Sequence, residues 1–165
     1  MCSSDLSWTN STDPGLRYFS GRATYRTVLH LTEAQVATAS TANLNLGEVH
    51  EVAAVRINGR DVGTLWKSPY TIRTDGLLHA GANKIEVDVT NLWPNRLIGD
   101  AQDPNSKHYT WTNIRKYTKD SPLLPSGMLG PVKIEPVYDV TVSVPLQASS
   151  EHAGMTGKGL QREKK

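Results

Sequence analysis

One run constrains the fold more than any other: Lys84-Ile85-Glu86-Val87-Asp88-Val89-Thr90 alternates strictly between polar and apolar side chains. A strand turns successive side chains to opposite faces, so Ile85, Val87 and Val89 share one face and Lys84, Glu86 and Asp88 the other. The pattern predicts a strand with one buried and one wet face. A second run, Gly21 to Leu31, places Ala23, Tyr25, Thr27 and Leu29 on one side and Thr24, Arg26, Val28 and His30 on the other. Its β-branched and aromatic content favours strand over helix. Between the two runs, Val52 to Ile57 leads into Asn58-Gly59 and returns through Arg60 to Trp66, the strongest short hairpin signal.

The rest of the chain adds short pieces of the same kind. Asn43 to Leu46 reads as a brief strand, Tyr70 to Thr74 as another after the Ser68-Pro69 break, and Met128 to Val137 and Tyr138 to Val144 as two more. Thr32-Glu33-Ala34-Gln35 resembles a helix cap, and the helix after it is short. Short strands with turn signals between them and little helix predict an all-β chain, an antiparallel β-sandwich. Residues 1–16 read as an irregular lead-in anchored by Trp8, 17–145 as the sandwich, and 146–165 as a disordered or extraneous tail.

Composition excludes several functions. The 165 residues fit one domain with a sizeable core. Eighteen basic and sixteen acidic residues give a net charge of +2, scattered along the body of the chain. That is not the basic stripe of a nucleic-acid binder. No apolar run approaches the roughly 20 residues needed to span a membrane. Cys2 is the single cysteine, which rules out an intrachain disulfide framework or a thiolate metal cluster.

Where the alternating run ends, the chain becomes chemically dense. Asn91-Leu92-Trp93-Pro94-Asn95-Arg96-Leu97-Ile98-Gly99-Asp100 reads as a loop, because Pro94 cannot donate to a ladder. A rigid strand feeding such a loop is a usual place for binding. The segment 101–128 follows, long and without period; a loop of that length is functional or conceals structure. It carries Tyr109, Trp111 and Tyr117 among polar residues.

Catalysis finds little support. Glycoside hydrolysis needs two carboxyls about 5 to 9.5 Å apart, and nothing in the spacing of Asp100, Asp103 and Asp120 marks such a pair. His30, His50, His79, His108 and His152 show no metal-ligand spacing. No nucleophile elbow or phosphate-cradling loop occurs. Sugar binding asks instead for flat aromatics that stack on C–H faces, and for amide, guanidinium and carboxylate groups that engage hydroxyls. Trp66, Tyr70, Trp93, Tyr109 and Trp111, with Asn95, Arg96 and Asp100, supply that kit. Trp66 and Trp93 fit a core role equally well, and Trp111, between two threonines, reads as the exposed platform. A calcium ion on Asp100, Asp103 and backbone carbonyls agrees with the oxygen preference of hard cations, although no ligand loop of recognisable spacing marks it.

Four blocks of the chain, Asp13 to Tyr25, Asn58 to Tyr70, Asn91 to Asp100 and Ser121 to Val132, occur in register. Together they resemble the C-terminal, galactose-binding-like jelly-roll domain of glycoside hydrolase family 106 α-L-rhamnosidases. More distantly they are similar to the sugar-binding domain of family 2 β-galactosidases. The resemblance implies a sandwich that is non-catalytic by itself, joined to a parent catalytic domain. It also implies plant cell-wall or pectic glycan as partner, and an extracellular or periplasmic parent protein. By the same resemblance Asn95 is the foremost ligand contact, with Trp93 and Arg96 next. The alternative it leaves open is a structural accessory domain that packs on a catalytic barrel without binding sugar.

Overall fold

The computed structural model describes residues 7–138, apart from Ser40, Pro104, Ser106 and Arg115. The expected strand from Tyr138 to Val144, the tail at 146–165 and Cys2 lie outside the described residues, Tyr138 apart. Among the described residues nine strands form three antiparallel sheets, and the chain is an all-β sandwich.

The larger layer has the order β1-β7-β4-β5, with β1 at Arg22–Leu31, β4 at Val52–Ile57, β5 at Arg60–Leu65 and β7 at Gly81–Thr90. The opposite layer consists of β6 (Thr71–Arg73), β2 (Ala42–Asn45) and β9 (Lys133–Pro136), beside the pair β3 (Glu48–His50) and β8 (Gly127–Gly130). Between them lie Leu44, Leu46, Val49 and Met128 from one layer and Ala53, Val55, Ile57, Ile85, Val87 and Val89 from the other, all buried. At about 25 cal/mol per Å² of apolar surface, this burial is the main favourable contribution to folding.

The hairpin expected at Asn58-Gly59 is present. Both residues have positive φ, 52° and 78°, the conformation a tight two-residue turn requires. Asn58 also braces the next crossing: its Oδ1 accepts from Lys84 N at 2.8 Å, and its Nδ2 donates to Leu77 O and to Asn83 Oδ1. The short helix α2 (Glu33–Thr38) starts at Thr32 with a capping box closed by Gln35.

Several expectations change. The outer face of β7 is not wet, since Glu86 and Asp88 are 9% and 8% exposed. Strand β7 is central, and cross-strand neighbours cover that face. Arg26 donates to Glu86 at 2.9 Å, while Thr24 at 2.6 Å and Arg56 at 3.0 Å donate to Asp88. The bond from Arg26 holds the Glu86 carboxyl below its ordinary range, helped by Lys84 and Arg56 against some burial. Asp88 is likewise lowered, first by the Thr24 hydroxyl and then by Arg56. Met128 to Val137 is not one strand either: Pro131 divides it into β8 and β9, which join different sheets. A short strand, β3, also lies between Leu46 and Val52, where no element was read from the sequence.

The described part of the lead-in holds two short elements. Trp8 to Asn10 form a 3-10 turn and Pro14–Arg17 the one-turn helix α1, capped by Asp13 Oδ1 on Gly15 N at 2.8 Å. Trp8 enters the core, stacks beside Tyr25 and donates to its hydroxyl at 2.7 Å.

Candidate functional site

The segment after β7 is a helix, α3 (Pro94–Asp100), not the loop expected. Pro94 blocks a strand but suits the first helical position, where its missing N–H costs nothing. Helical geometry places Arg96 and Asp100 one turn apart on a common face. Arg96 Nη2 lies 2.9 Å from Asp100 Oδ1, an ion pair whose angle falls short of a hydrogen bond.

Asp100 looks inward. Its Oδ2 accepts from Tyr109 N at 3.0 Å, Thr110 N at 2.9 Å and the Thr110 hydroxyl at 2.7 Å. Burial pushes this carboxyl up, but the Thr110 and Tyr109 donors and Arg96 together outweigh it and hold it below the ordinary carboxylate range. A carboxylate so surrounded by donors fixes the 107–112 segment against α3. No group of three or more metal-ligating side chains occurs among the described residues.

The result is an open recess of about 1020 Å³ between α1, α3 and the 107–111 segment, on the scale of carbohydrate and cofactor sites. Its walls include Tyr18, Trp93, Arg96, Lys107, Tyr109 and Trp111. Three of these aromatics are exposed, Trp93 at 68%, Tyr109 at 67% and Trp111 at 83%. Arg96 lies between two rings, 6.0 Å from the Tyr18 centroid and 5.2 Å from that of Tyr109, within cation–π range. Gly99 makes this closeness possible: a Cβ there would stand 2.6 Å from Tyr18 Cβ and 2.5 Å from Arg96 Nη2. Trp111 and Thr110 also wall a smaller recess on their far side, with His108 and Tyr117.

Of the eight residues singled out from sequence, Trp93, Arg96, Tyr109 and Trp111 meet at this recess, and Asp100 stands behind it. The other three do not. Asn95 is 2% exposed, with its Nδ2 donating to Leu124 O at 2.7 Å and Ser126 Oγ at 2.9 Å and its Oδ1 accepting from Leu124 N. It staples a distant segment and presents no group to the recess. Tyr70 is a core residue whose hydroxyl donates to Glu51 O, its acidity weakened first by burial. Trp66 is 68% exposed, with Lys67 over its ring, at the end of β5 and away from the recess. Tyr18 and Lys107 were not among those eight. The one signal for Tyr18 was its place in the Asp13 to Tyr25 block.

No protein-family model matches the chain. It is 36% identical over 151 residues to a Formosa agariphila protein named "Putative beta-glucuronidase", covering 78% of this chain and 13% of that protein. The solved structure of a rhamnosidase from Novosphingobium sp. PP1Y superposes with a TM-score of 0.69 at 39% identity, over 79% of this chain and 12% of the rhamnosidase. The chain is related to one domain-sized segment of glycoside hydrolases. It spans about an eighth of the length of these relatives.

Proposed function

We propose that the chain is a non-catalytic carbohydrate-binding module of a rhamnosidase-like glycoside hydrolase of the family 106 type. It takes plant cell-wall or pectic glycan into the recess at α3 and carries no hydrolytic step itself. The parent enzyme works outside the cytoplasm, in the periplasm or beyond the cell. One observation carries this reading: Trp93, Tyr109 and Trp111, contributed by two separate segments, are all exposed around a single buttressed recess. Monomeric proteins rarely leave large apolar side chains grouped on the surface without a use. Sugar rings, with apolar faces and hydroxyl edges, suit aromatic walls bordered by Arg96, Gln102 and Lys107. Chemistry needs two available carboxyls, and Asp100 is buried with three donors on Oδ2 and the Arg96 ion pair at Oδ1.

The test is calorimetric titration of the whole chain with a panel of plant glycans, followed by Trp111→Ala. Binding that disappears in the variant supports the module; a panel with no binding member removes it. A second reading has its own observation. Leu92, Trp93 and Leu124 are 52%, 68% and 40% exposed, and Leu92 and Leu124 border one shallow depression. In that reading this edge seats against the parent catalytic domain, and the sandwich is a structural accessory. Trp111→Ala would then leave every glycan titration unchanged.

A further inference from the structure

Cations and rings alternate along one line of the surface. Lys107 Nζ lies 5.1 Å from the Tyr109 centroid, Arg96 5.2 Å from the same ring and 6.0 Å from Tyr18, and Arg17 5.9 Å from Tyr18. The sequence is therefore Lys107, Tyr109, Arg96, Tyr18, Arg17. It crosses from the main recess into a neighbouring one of about 480 Å³, where Arg17 is joined by Lys119, with Tyr18 and Gln102 shared between the two. Among the described residues, the one ion pair this row makes is Arg96 with Asp100. That pairing leaves Arg96 as the stiffener of the row and leaves Lys107, Arg17 and Lys119, all exposed, as cations facing water.

We infer that the row selects an anionic linear glycan, a polyuronate, over neutral chains; this rests on the proposed sugar-binding role of the recess. Tyr18 and Tyr109 have cations within cation–π distance, so they are poorer stacking platforms for a neutral sugar than exposure alone suggests. Trp111, with no cation–π contact among the described residues, is the platform for a ring. The row then meets carboxylates repeated along the chain. Asp103 borders the same surface, and the whole molecule carries only +2. A dense polyphosphate is therefore a worse fit than a chain with one carboxylate per sugar ring.

The experiment titrates the whole chain with sodium polygalacturonate, its fully methyl-esterified form, neutral β-1,4-galactan and oligothymidylate. Polygalacturonate is expected to bind at least about fivefold tighter than its ester, and to weaken as salt is raised. Lys107→Gln and Arg17→Gln are each expected to cost about threefold, the usual scale for an exposed charge contact. Both are surface changes, and unshifted thermal melts confirm folding. Equal binding of acid and ester, or of galactan, overturns the selectivity and leaves the sugar-binding role standing. Binding to none of the four overturns both. Tighter binding of oligothymidylate overturns the glycan in favour of single-stranded nucleic acid, which aromatic and basic surfaces also accept.

Discussion

Asn91 and Asn95 donate to the same oxygen, Ser126 Oγ, at 3.2 and 2.9 Å. One amide leaves the end of β7 and the other sits a helical turn later in α3, so a single hydroxyl ties both to a segment about 30 residues onward. Ser126 then accepts at its carbonyl from Trp8 N and donates its own N–H to Ser7 Oγ, drawing in the start of the domain. Asn91 also accepts from Gly21 N and donates to Phe19 O. This amide network lies under the depression bordered by Leu92 and Leu124.

Asn95→Ala should therefore act on stability before binding. It leaves Leu124 N without its side-chain partner and Leu124 O with Ser126 Oγ alone, at 3.3 Å, in a part-buried place, at a cost of about 1–3 kcal/mol. The melting temperature should fall by about 4–10 °C. Thermal and urea melts measure this. Glycan affinity at a temperature where the variant is fully folded should be close to wild type; a selective loss of affinity with an unchanged melt would return Asn95 to the ligand.

Trp111→Ala and Trp93→Ala should behave the opposite way. Both side chains are largely exposed, and such surface changes stay within about 0.5 kcal/mol of wild-type stability. Sugar affinity should drop by about tenfold or more, since a well-placed aromatic contact contributes about 1–3 kcal/mol. Trp66→Ala, equally exposed but distant from the recess, is the control and should alter neither. Calorimetry beside a thermal melt separates the three.

Asp100 links acidity to the shape of the site. Its folded carboxyl titrates below the ordinary range, so its stabilisation is fully present above the usual carboxylate pKa of about 4. It is lost as pH falls through the lower, folded value. Protonation takes away the charge that gathers Tyr109 N, Thr110 and Arg96. Affinity and Trp111 emission should thus hold steady down to about pH 4 and fall below it. In Asp100→Asn the weakened state should already be present at neutral pH, with a smaller acid step. An identical acid profile in wild type and variant would contradict this.

Gly47→Ala tests the joint between the small sheets. Gly47 has φ +69°, and an added Cβ would lie 2.3 Å from the Gly130 carbonyl carbon and oxygen, where the two residues bridge. Backbone on the far side cannot swing away as a side chain would. The strained conformation and the overlap together should cost about 2–4 kcal/mol, read as a shifted urea midpoint.

The strand pattern was legible because it is local. Alternation at Lys84 to Thr90, the Asn58-Gly59 turn and the Thr32 cap each act over a few residues, and the structure contains all three. The helix at Pro94 was legible in principle, but proline marks a strand's end and a helix's first turn equally, and only the hydrogen bonds of α3 decide between them.

What the sequence by itself determined was the kind of layer and the supply of aromatics around Trp93 and Trp111. Tertiary structure alone decided their use. Glu86 and Asp88 are covered because β1 and β4 bring Arg26, Thr24 and Arg56 over them. Asn95 turns inward because Leu124 and Ser126 reach it, and Arg96 becomes part of a wall because Tyr18 arrives from the far end of the chain. Each outcome depends on partners dozens of residues away. Periodicity reports which face a side chain takes, and chain folding chooses what stands opposite that face.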